Sequence, residues 1–260
     1  MPGADLLDDV AAIAAQASAL ALGRWRGEFK RWDKAGGSPV SEVDLAVDAF
    51  LREQLTALLP DAGWLSEETA DAPDRLARAR VWVVDPIDGT RDYIRGRDGW
   101  CVSVALVEDG AVTIGVLDAP ARVQVWRARR DGGAWRGTDR LRAPERTHLD
   151  GARVPAAALA KVDALFRTVS QPNSIALRMA MVAADEADLV ATLRWGHEWD
   201  IAAAALIASE AGAAVTDALG HPLRFNKADP RAFGVLASAS GLHTAAVAHL
   251  SARAATLAAA

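Results

Sequence analysis

Carboxylates that directly follow a buried apolar run are the residues best placed for chemistry. The run Val81–Val84 leads into Asp85–Thr90, which reads Asp-Pro-Ile-Asp-Gly-Thr. A buried strand would hold both acids, Asp85 and Asp88, while the glycine lets the backbone approach a ligand. The threonine would open a helix whose free N–H groups face an anion. Carboxylates beside a backbone carbonyl, here that of Ile87, suit Mg²⁺. The segment predicts a metal and phosphate site.

Other acidic segments support this interpretation in combination. Glu67 and Glu68 follow a short strand pattern, and Asp200 opens an apolar helix pattern. Taken alone, Asp200 is typical of a helix N-cap, and the two glutamates are typical of a solvated turn. An aspartate cap of the turn is also the alternative for the Asp-Gly pair at 88–89. The full ten-residue arrangement 81–90 favours the metal and phosphate site instead.

The elements that must position these acids follow from hydrophobic periodicity. Apolar side chains at helical spacing predict a long first helix over 5–30 and a second from Ser41 to Leu58, with a loop over 33–39 between them. Short apolar runs predict strands at 62–65 and 81–84, and alternation predicts an antiparallel meander from about 100 to 135. Beyond residue 150, strands (165–169, 189–193, 213–216, 233–237) alternate with helices (173–184, 200–211, 241–253). Two sheets covered by helices are the simplest architecture for this order.

The composition bounds what this chain can be. Its 260 residues are 51% hydrophobic and 24% charged, with a formal net charge of −5. This describes a globular protein and argues against nucleic-acid or membrane-surface partners. The one cysteine, Cys101, fits a reducing compartment. The uncharged stretch Val10–Gly23 is shorter than the roughly 20 residues of a membrane span, and acids precede it, so a cytoplasmic location is expected. No linker divides the chain, so we expect one catalytic domain over 1–260, with approximate subdomains 1–148 (α+β) and 149–260 (α/β).

The motifs together resemble the inositol monophosphatase family, the lithium-sensitive, Mg²⁺-dependent phosphomonoesterases that include bisphosphate nucleotidases and some histidinol phosphatases. The resemblance covers residues 34–240 and rests on these segments: Ser66-Glu67-Glu68, Trp82–Thr90, Trp199–Ala204 and Glu210-Ala211-Gly212. It implies an α/β (α+β) fold built as an α-β-α-β-α sandwich of the inositol monophosphatase and fructose bisphosphatase type. It also implies a homodimer acting on a small phosphorylated metabolite.

The resemblance also implies roles for individual residues. The metal ligands, holding two or three Mg²⁺, would be Glu67, Asp85, the Ile87 carbonyl, Asp88 and Asp200. The phosphate would be bound by Asp88, Gly89 and Thr90. Asp44, in the segment 39–44, would pair with Thr90 to activate a water, and Glu67 would assist through the metal. Such metal-activated water is a usable nucleophile near neutral pH.

Departures from the family pattern bear on the substrate. Members specific for inositol would place an acid about seven residues before Asp200, where this chain has Leu193. Ser174, Arg178 and Arg194 are candidate substrate-binding residues, because an arginine could meet a second phosphate with its bidentate fork. An ordinary helix arginine is an equally good interpretation of Arg178. We therefore favour a 3′(2′),5′-bisphosphate nucleotidase over an inositol-1-monophosphatase or a histidinol-phosphate phosphatase.

Two other classes of function were weighed against this one. A haloacid-dehalogenase-type phosphatase needs acids at i and i+2, whereas Asp85 and Asp88 stand at i and i+3. A regulatory binding protein has no physical need for an intact set of metal ligands. The nine tryptophans could include a ring that stacks on a nucleobase, although core packing is the usual role of each.

Overall fold

The structure is a computed structural model that describes residues 5–34, 36–156, 159 and 163–259. Along the chain the elements are α1 (Leu6–Arg24), β1 (Arg31–Asp33), β2 (Pro39–Ser41), α2 (Glu42–Leu58), β3 (Gly63–Ser66), β4 (Arg80–Asp88), α3 (Thr90–Ile94), β5 (Cys101–Glu108), β6 (Ala111–Ala119), β7 (Gln124–Arg129), β8 (Gly133–Arg136), β9 (Asp139–Arg140), β10 (Ala152–Val154), β11 (Phe166–Thr168), α4 (Ile175–Ala183), β12 (Leu189–His197), α5 (Glu198–Glu210), β13 (Ala213–Thr216), β14 (Arg231–Ala239) and α6 (His243–Ala258). Short 3₁₀ turns lie at 73–77, 120–122 and 240–242.

The larger sheet has seven strands in the order β3-β4-β5-β6-β7-β8-β9. Strands β3 and β4 are parallel, and the remaining neighbours are antiparallel. Side chains of β4 alternate between its two faces, as a strand requires. Trp82 and Val84 pack against α1 and α2, whereas Val81 and Val83 pack on the opposite side with α4 and α5. The sheet is therefore buried on both faces.

The smaller sheet has the order β12-β14-β13 and is antiparallel. Its inner face, through Val190 and Val235, joins the same core as α4 and α5. Its outer face packs against α6 through Leu236 and Leu250. The predicted α-β-α-β-α layering is confirmed. Helix α5 lies so close to β6 that a Cβ at Gly115 would stand 2.7 Å from the backbone oxygen of Ala203.

Several predicted boundaries were wrong. The first helix ends at Arg24, because Trp25 is extended (φ −62°, ψ 135°) and Arg26 has a positive φ of 64°. Residues 31–33 and 39–41 form an antiparallel hairpin around the predicted loop. Strand β12 continues to His197, four residues beyond the predicted end, and α6 continues to Ala258. The early end of the first helix follows from the backbone conformation of Trp25 and Arg26. The other differences follow from pairing and packing partners elsewhere in the chain.

Helix α1 is long and apolar enough to cross a membrane by length and mean hydropathy (19 residues, 1.4), contrary to the expectation from its uncharged stretch. Its residues Val10, Ala14 and Ala17 are completely buried in the core with α2 and the larger sheet. The flank with these residues is thus used for packing within the protein. The expected subdomain boundary at 148–149 falls between β9 and β10, and it stays a prediction.

Candidate active site

The last residues of β4 bring two aspartates, Asp85 and Asp88, to one cavity. The register of β4 against β5 shifts between Asp85 and Asp88, so two residues intervene without regular pairing. Asp85 Oδ1 accepts a hydrogen bond from the backbone N–H of Ile87 at 3.0 Å. The turn needs Gly89, which has a φ of +99° and whose Cβ would stand 2.6 Å from the Gly99 carbonyl oxygen. A side chain at position 89 would therefore displace the turn that carries the acids.

Three carboxylates from three different elements converge beside this turn. Oxygens of Glu67, Asp85 and Asp200 all lie within 4.8 Å of one another. Glu67 follows β3, and Asp85 directly follows the part of β4 that pairs with β3; since these strands are parallel, both residues lie at one edge of the sheet. Asp200 comes from the first turn of α5. Such an oxygen-only donor set matches the preference of Mg²⁺.

Burial without a cation disfavours the charged forms of these acids. The pKa of Asp85 lies well above its ordinary value because of burial and then the charge of Glu67. Burial raises the pKa of Asp88 to about 6, against the lowering effect of hydrogen bonds from Ser174 and Ala176. Burial and the charge of Asp88 raise the pKa of Asp200 to about 7. A positive charge nearby would favour the charged carboxylates and reduce their mutual repulsion. The electrostatics of the cluster therefore favour binding of a cation.

One cation of the chain itself already faces the cluster. Lys34 Nζ lies 2.9 Å from Glu67 Oε1 and 2.7 Å from Glu68 Oε1. Burial lowers the pKa of Lys34, but the two glutamates outweigh it and leave that pKa raised. Burial raises the pKa of Glu68 to about 7, although Lys34 opposes the effect. Lys34 was not predicted as a site residue, because a lysine in a glycine-containing loop has no sequence pattern that indicates a role.

The proposed catalytic pair is in contact. Thr90 Oγ1 lies 3.2 Å from Asp44 Oδ1 and 3.0 Å from the carbonyl oxygen of Ile87. The other oxygen of Asp44 accepts from the backbone N–H of Ser41 at 2.9 Å and from its hydroxyl at 2.5 Å. Asp44 is 1% exposed, and burial raises its pKa against the lowering effect of Ser41. The capping box of α2 therefore fixes Asp44 so that one oxygen faces Thr90.

A layer of buried polar side chains holds the acid-bearing loops, and the sequence analysis did not find it. Asp48 accepts hydrogen bonds from the hydroxyls of Ser66 and Thr69, on either side of Glu67. Arg75 is 1% exposed and binds both Asp71 carboxylate oxygens and the side chain of Asn226. Asp48 lies in an ordinary helix and Asn226 is 151 residues away from Arg75, so residue types alone gave no signal for these contacts.

Glu198 extends this support to the helix that carries Asp200. Its carboxylate accepts from the backbone N–H groups of Asn226 (2.5 Å) and Lys227 (3.1 Å). Arg75 bonds to the side chain of the same Asn226. The turn at 226–227 thereby links the loop after Glu67 to the start of α5.

The carboxylates open into a cavity of about 470 Å³. Eight predicted site residues line it, namely Glu67, Asp85, Ile87, Asp88, Gly89, Thr90, Arg194 and Asp200. Asp44 and Ser174 do not line the cavity, but each contacts a residue that does. Asp44 bonds to Thr90, and the Ser174 hydroxyl donates to Asp88 Oδ2 at 2.5 Å.

Two further residues singled out in the sequence do not line this cavity. The guanidinium of Arg178 donates to the backbone carbonyls of Pro172 (2.6 Å) and Asn173 (3.2 Å), next to the start of its own helix. Leu193 packs with Ala218 and Phe233 in a small apolar cluster. The helix-arginine interpretation of Arg178 therefore agrees with its contacts.

Aromatic residues of β12 and α5 form one rim of the cavity. Trp195, His197 and Trp199 all line it, and the rings of His197 and Trp199 are stacked at 4.4 Å with an interplanar angle of 5°. By contrast, Trp82 is fully buried and donates to the backbone carbonyl of Leu55 at 3.1 Å. The excess of tryptophan was the signal for this rim, but the sequence could not say which rings face the cavity.

The chain is similar to known proteins over most of its length. A family model described as the inositol monophosphatase family matches residues 5–255. The 3′(2′),5′-bisphosphate nucleotidase CysQ of Aggregatibacter actinomycetemcomitans is 31% identical over 236 residues, covering 85% of this chain and 88% of that protein. A fructose-1,6-bisphosphatase/inositol-1-monophosphatase of Thermotoga maritima is 32% identical over 190 residues, covering 70% and 72%. The solved Thermotoga maritima IMPase superimposes with a TM-score of 0.83 at 26% identity, covering 97% of this chain and 99% of that one.

Proposed function

Because the chain belongs to the inositol monophosphatase family, whose members are metal-dependent phosphomonoesterases, we propose that it hydrolyses a 3′(2′),5′-bisphosphate nucleotide. The observation that carries this proposal is an unpaired arginine on the wall of the acidic cavity. Within the described part of the chain, Arg194 makes no hydrogen bond or ion pair, and it lines the cavity with Asp88 and Asp200. A substrate with a second phosphate would give that cation a partner.

The acidic cluster is suited to hold two or three Mg²⁺ ions. The proposed ligands are Glu67, Asp85, the Ile87 carbonyl, Asp88 and Asp200. All are oxygen donors, and the raised pKa values of the three aspartates, which burial causes first, favour a site that gains a cation. Bound Mg²⁺ would supply Lewis-acid stabilisation of phosphoryl charge and lower the pKa of a water.

The chain's own residues would orient the attacking water. Asp44 Oδ1 can accept the hydroxyl hydrogen of Thr90, which leaves the Thr90 oxygen free to accept a hydrogen from water. The carboxylate of Asp44 is held by Ser41, so this orientation is fixed before the substrate arrives. Asp44 and Thr90 are therefore the proposed catalytic pair, and Glu67 assists as a ligand.

The turn at the start of α3 would receive the scissile phosphate. Gly89 and Thr90 line the cavity beside Asp88, and the absence of a side chain at 89 lets the backbone approach a phosphate oxygen. Ser174 would act on the substrate only through its hydrogen bond to Asp88. Arg178, whose guanidinium is occupied by carbonyls, supports the start of α4 instead of a second phosphate.

Similarity to relatives does not decide between a nucleotide and an inositol phosphate as substrate, because a nucleotidase and an inositol monophosphatase match at nearly equal identity. Leu193 favours the nucleotidase, since its side chain packs in an apolar cluster and offers no acceptor for polyol hydroxyls.

The test is phosphate release from a panel of substrates, each with Mg²⁺ and with EDTA: adenosine 3′,5′-bisphosphate, inositol 1-phosphate, histidinol phosphate and a hexose phosphate. We expect the highest kcat/KM for the nucleotide, and activity only with Mg²⁺. A higher kcat/KM for inositol 1-phosphate would reject the nucleotidase assignment, and Mg²⁺-independent release would reject the metal assignment.

The same proposal includes three expectations about the protein as a whole: its domain organisation, its oligomeric state and its location. We propose a single catalytic domain, a homodimer of the kind the family resemblance implies, and a cytoplasmic location consistent with the buried free thiol of Cys101. Light scattering coupled to size-exclusion chromatography tests the dimer, which a monomeric mass at micromolar concentration would reject.

A further inference from the structure

An irregularity in β12 places two neighbouring side chains on the same cavity. Strands β12 and β14 pair from Leu189 to His197, but the register shifts between Thr192 and Trp195. Two residues of β12 there face the single residue Gly234, which is the geometry of a β-bulge. In a regular strand consecutive side chains point to opposite faces. Here Arg194 and Trp195 both line the cavity.

The bulge is fixed by the residue opposite it. Gly234 has a φ of +63°, and a Cβ there would stand 2.0 Å from the carbonyl oxygen of Thr192. Every other residue type would collide with the bulged backbone. The sequence therefore commits this strand to the conformation that turns Trp195 toward the site.

The ring of Trp195 is held firmly although it is half exposed. It is 49% exposed and meets Phe233 edge-on at 5.5 Å with an interplanar angle of 71°. The guanidinium of Arg231 lies over the ring, 5.2 Å from its centroid. Arg231 is in turn bound by Asp229, with Nη2 2.7 Å from Oδ2. Phe233 and Arg231 thus both contact the indole, while about half of its surface stays open.

Trp32 shows that exposure alone does not produce this arrangement. It is 45% exposed on β1, close to the value for Trp195. Among the described residues it has no ring or cation partner, and it does not line the cavity. A large apolar ring that is held at the mouth of a polar cavity and stays half exposed is suited to stack on a planar ligand.

We propose that Trp195 is the stacking platform for the aromatic base of a nucleotide substrate, with Arg194 beside it for the phosphate that is not hydrolysed. The proposal rests on the proposed function, whose substrate class it specifies. Stacking uses the π-face that every base has and does not read hydrogen-bonding edges. We therefore expect adenine and guanine nucleotides to be used about equally, within about threefold.

The decisive measurement is a ratio of two specificity constants. Phosphate release with Mg²⁺ is measured on adenosine 3′,5′-bisphosphate and on glycerol 2-phosphate, which has no ring. Trp195→Leu should lower the ratio of kcat/KM for the nucleotide to that for glycerol phosphate about tenfold, mainly through KM. Trp195→Phe should restore most of the ratio, and Trp32→Leu should leave it unchanged. Equal losses on both substrates, or no loss, would overturn the platform.

A binding experiment separates failure of this inference from failure of the proposed function. If the unmodified enzyme hydrolyses neither ester with Mg²⁺, the proposed function is rejected. Titration calorimetry with adenosine 5′-monophosphate then tests the platform without turnover. Binding about tenfold weaker in Trp195→Leu than in Trp32→Leu would support stacking. Equal binding in the two variants, or no binding by the unmodified protein, would overturn it.

Discussion

Two walls of the same cavity differ in their burial and in how their residues are held in place. The acidic wall, formed by Glu67, Asp85, Asp88 and Asp200, is mostly buried and is held by hydrogen bonds from backbone and hydroxyl groups. The aromatic wall, formed by Arg194 and Trp195, is exposed and belongs to a strand whose regular pairing is interrupted.

The difference separates chemistry from substrate choice. Buried carboxylates that repel one another need a cation and fixed geometry, so each acid depends on several layers of the fold. An exposed arginine and ring on a bulge can change with little effect on packing. We therefore expect changes on the acidic wall to abolish catalysis for every ester, and changes on the aromatic wall to alter preference between esters.

The largest effect is expected for Asp88→Asn, which removes one negative charge from the proposed metal ligands. Loss of several kcal/mol of transition-state stabilisation should lower kcat/KM by about 1000-fold on all substrates. The fold should persist, because an amide oxygen can still accept from Ser174 and from the Ala176 N–H. Phosphate release and circular dichroism check these outcomes. Asp118→Asn, at a buried acid outside the cavity lining, is the matched control. Full activity of Asp88→Asn in saturating Mg²⁺ would contradict the ligand role.

Removing the hydroxyl of Thr90 should have the next largest effect. Thr90→Val keeps the shape but cannot orient water, so kcat should fall by about 100-fold, as for loss of a general acid–base group. Thr90→Ser keeps the hydroxyl and should retain most of the activity. Steady-state kinetics on the nucleotide compare the two variants, and equal kcat values for Thr90→Val and Thr90→Ser would contradict the role of the hydroxyl.

The comparison becomes sharper with a pair of arginine variants. Arg194→Ala should lower the ratio of bisphosphate to monophosphate kcat/KM about tenfold, since a charge-assisted contact of roughly 1.5 kcal/mol is lost. Arg178→Ala should lower both constants together, because its guanidinium supports the start of α4. Kinetics on adenosine 3′,5′-bisphosphate and on adenosine 3′-monophosphate, which keeps the scissile phosphate and lacks the second one, measure both ratios. A selective loss in Arg178→Ala, with none in Arg194→Ala, would reverse the assignment.

The smallest effect is on the stability of the metal-free protein. Burial raises the pKa of Asp200 to about 7, well above the pKa of about 4 of an unfolded aspartate. An acid whose pKa is raised in the folded protein stabilises the fold fully below its unfolded pKa. That contribution is lost as the pH rises through its folded pKa. In EDTA, Tm should therefore fall between about pH 4 and pH 7, and Asp200→Asn should reduce that fall by about 3 °C. Thermal unfolding of both proteins tests this, and an identical pH dependence would contradict it.

The sequence predicted the acidic wall better than the aromatic one for a physical reason. The segment Asp85–Thr90 encodes its own turn through a proline and a glycine, so local rules suffice there, whereas the role of Asp44 followed from the family resemblance. The layers could also be predicted, because the alternation along β4 reports both faces. The bulge at Arg194 depends on Gly234, which lies 40 positions away along the printed sequence. Lys34 and Arg178 take roles set by backbone geometry that residue type does not encode.

The position of α5 constrains the order in which the protein can assemble. This helix carries Asp200, and it packs at once against the larger sheet, through the close approach to Gly115, and against the smaller sheet. A folding intermediate that lacks either sheet has no docked α5 and hence an incomplete set of ligands. Binding of a cation by the complete proposed ligand set therefore requires α5 to be docked on both sheets.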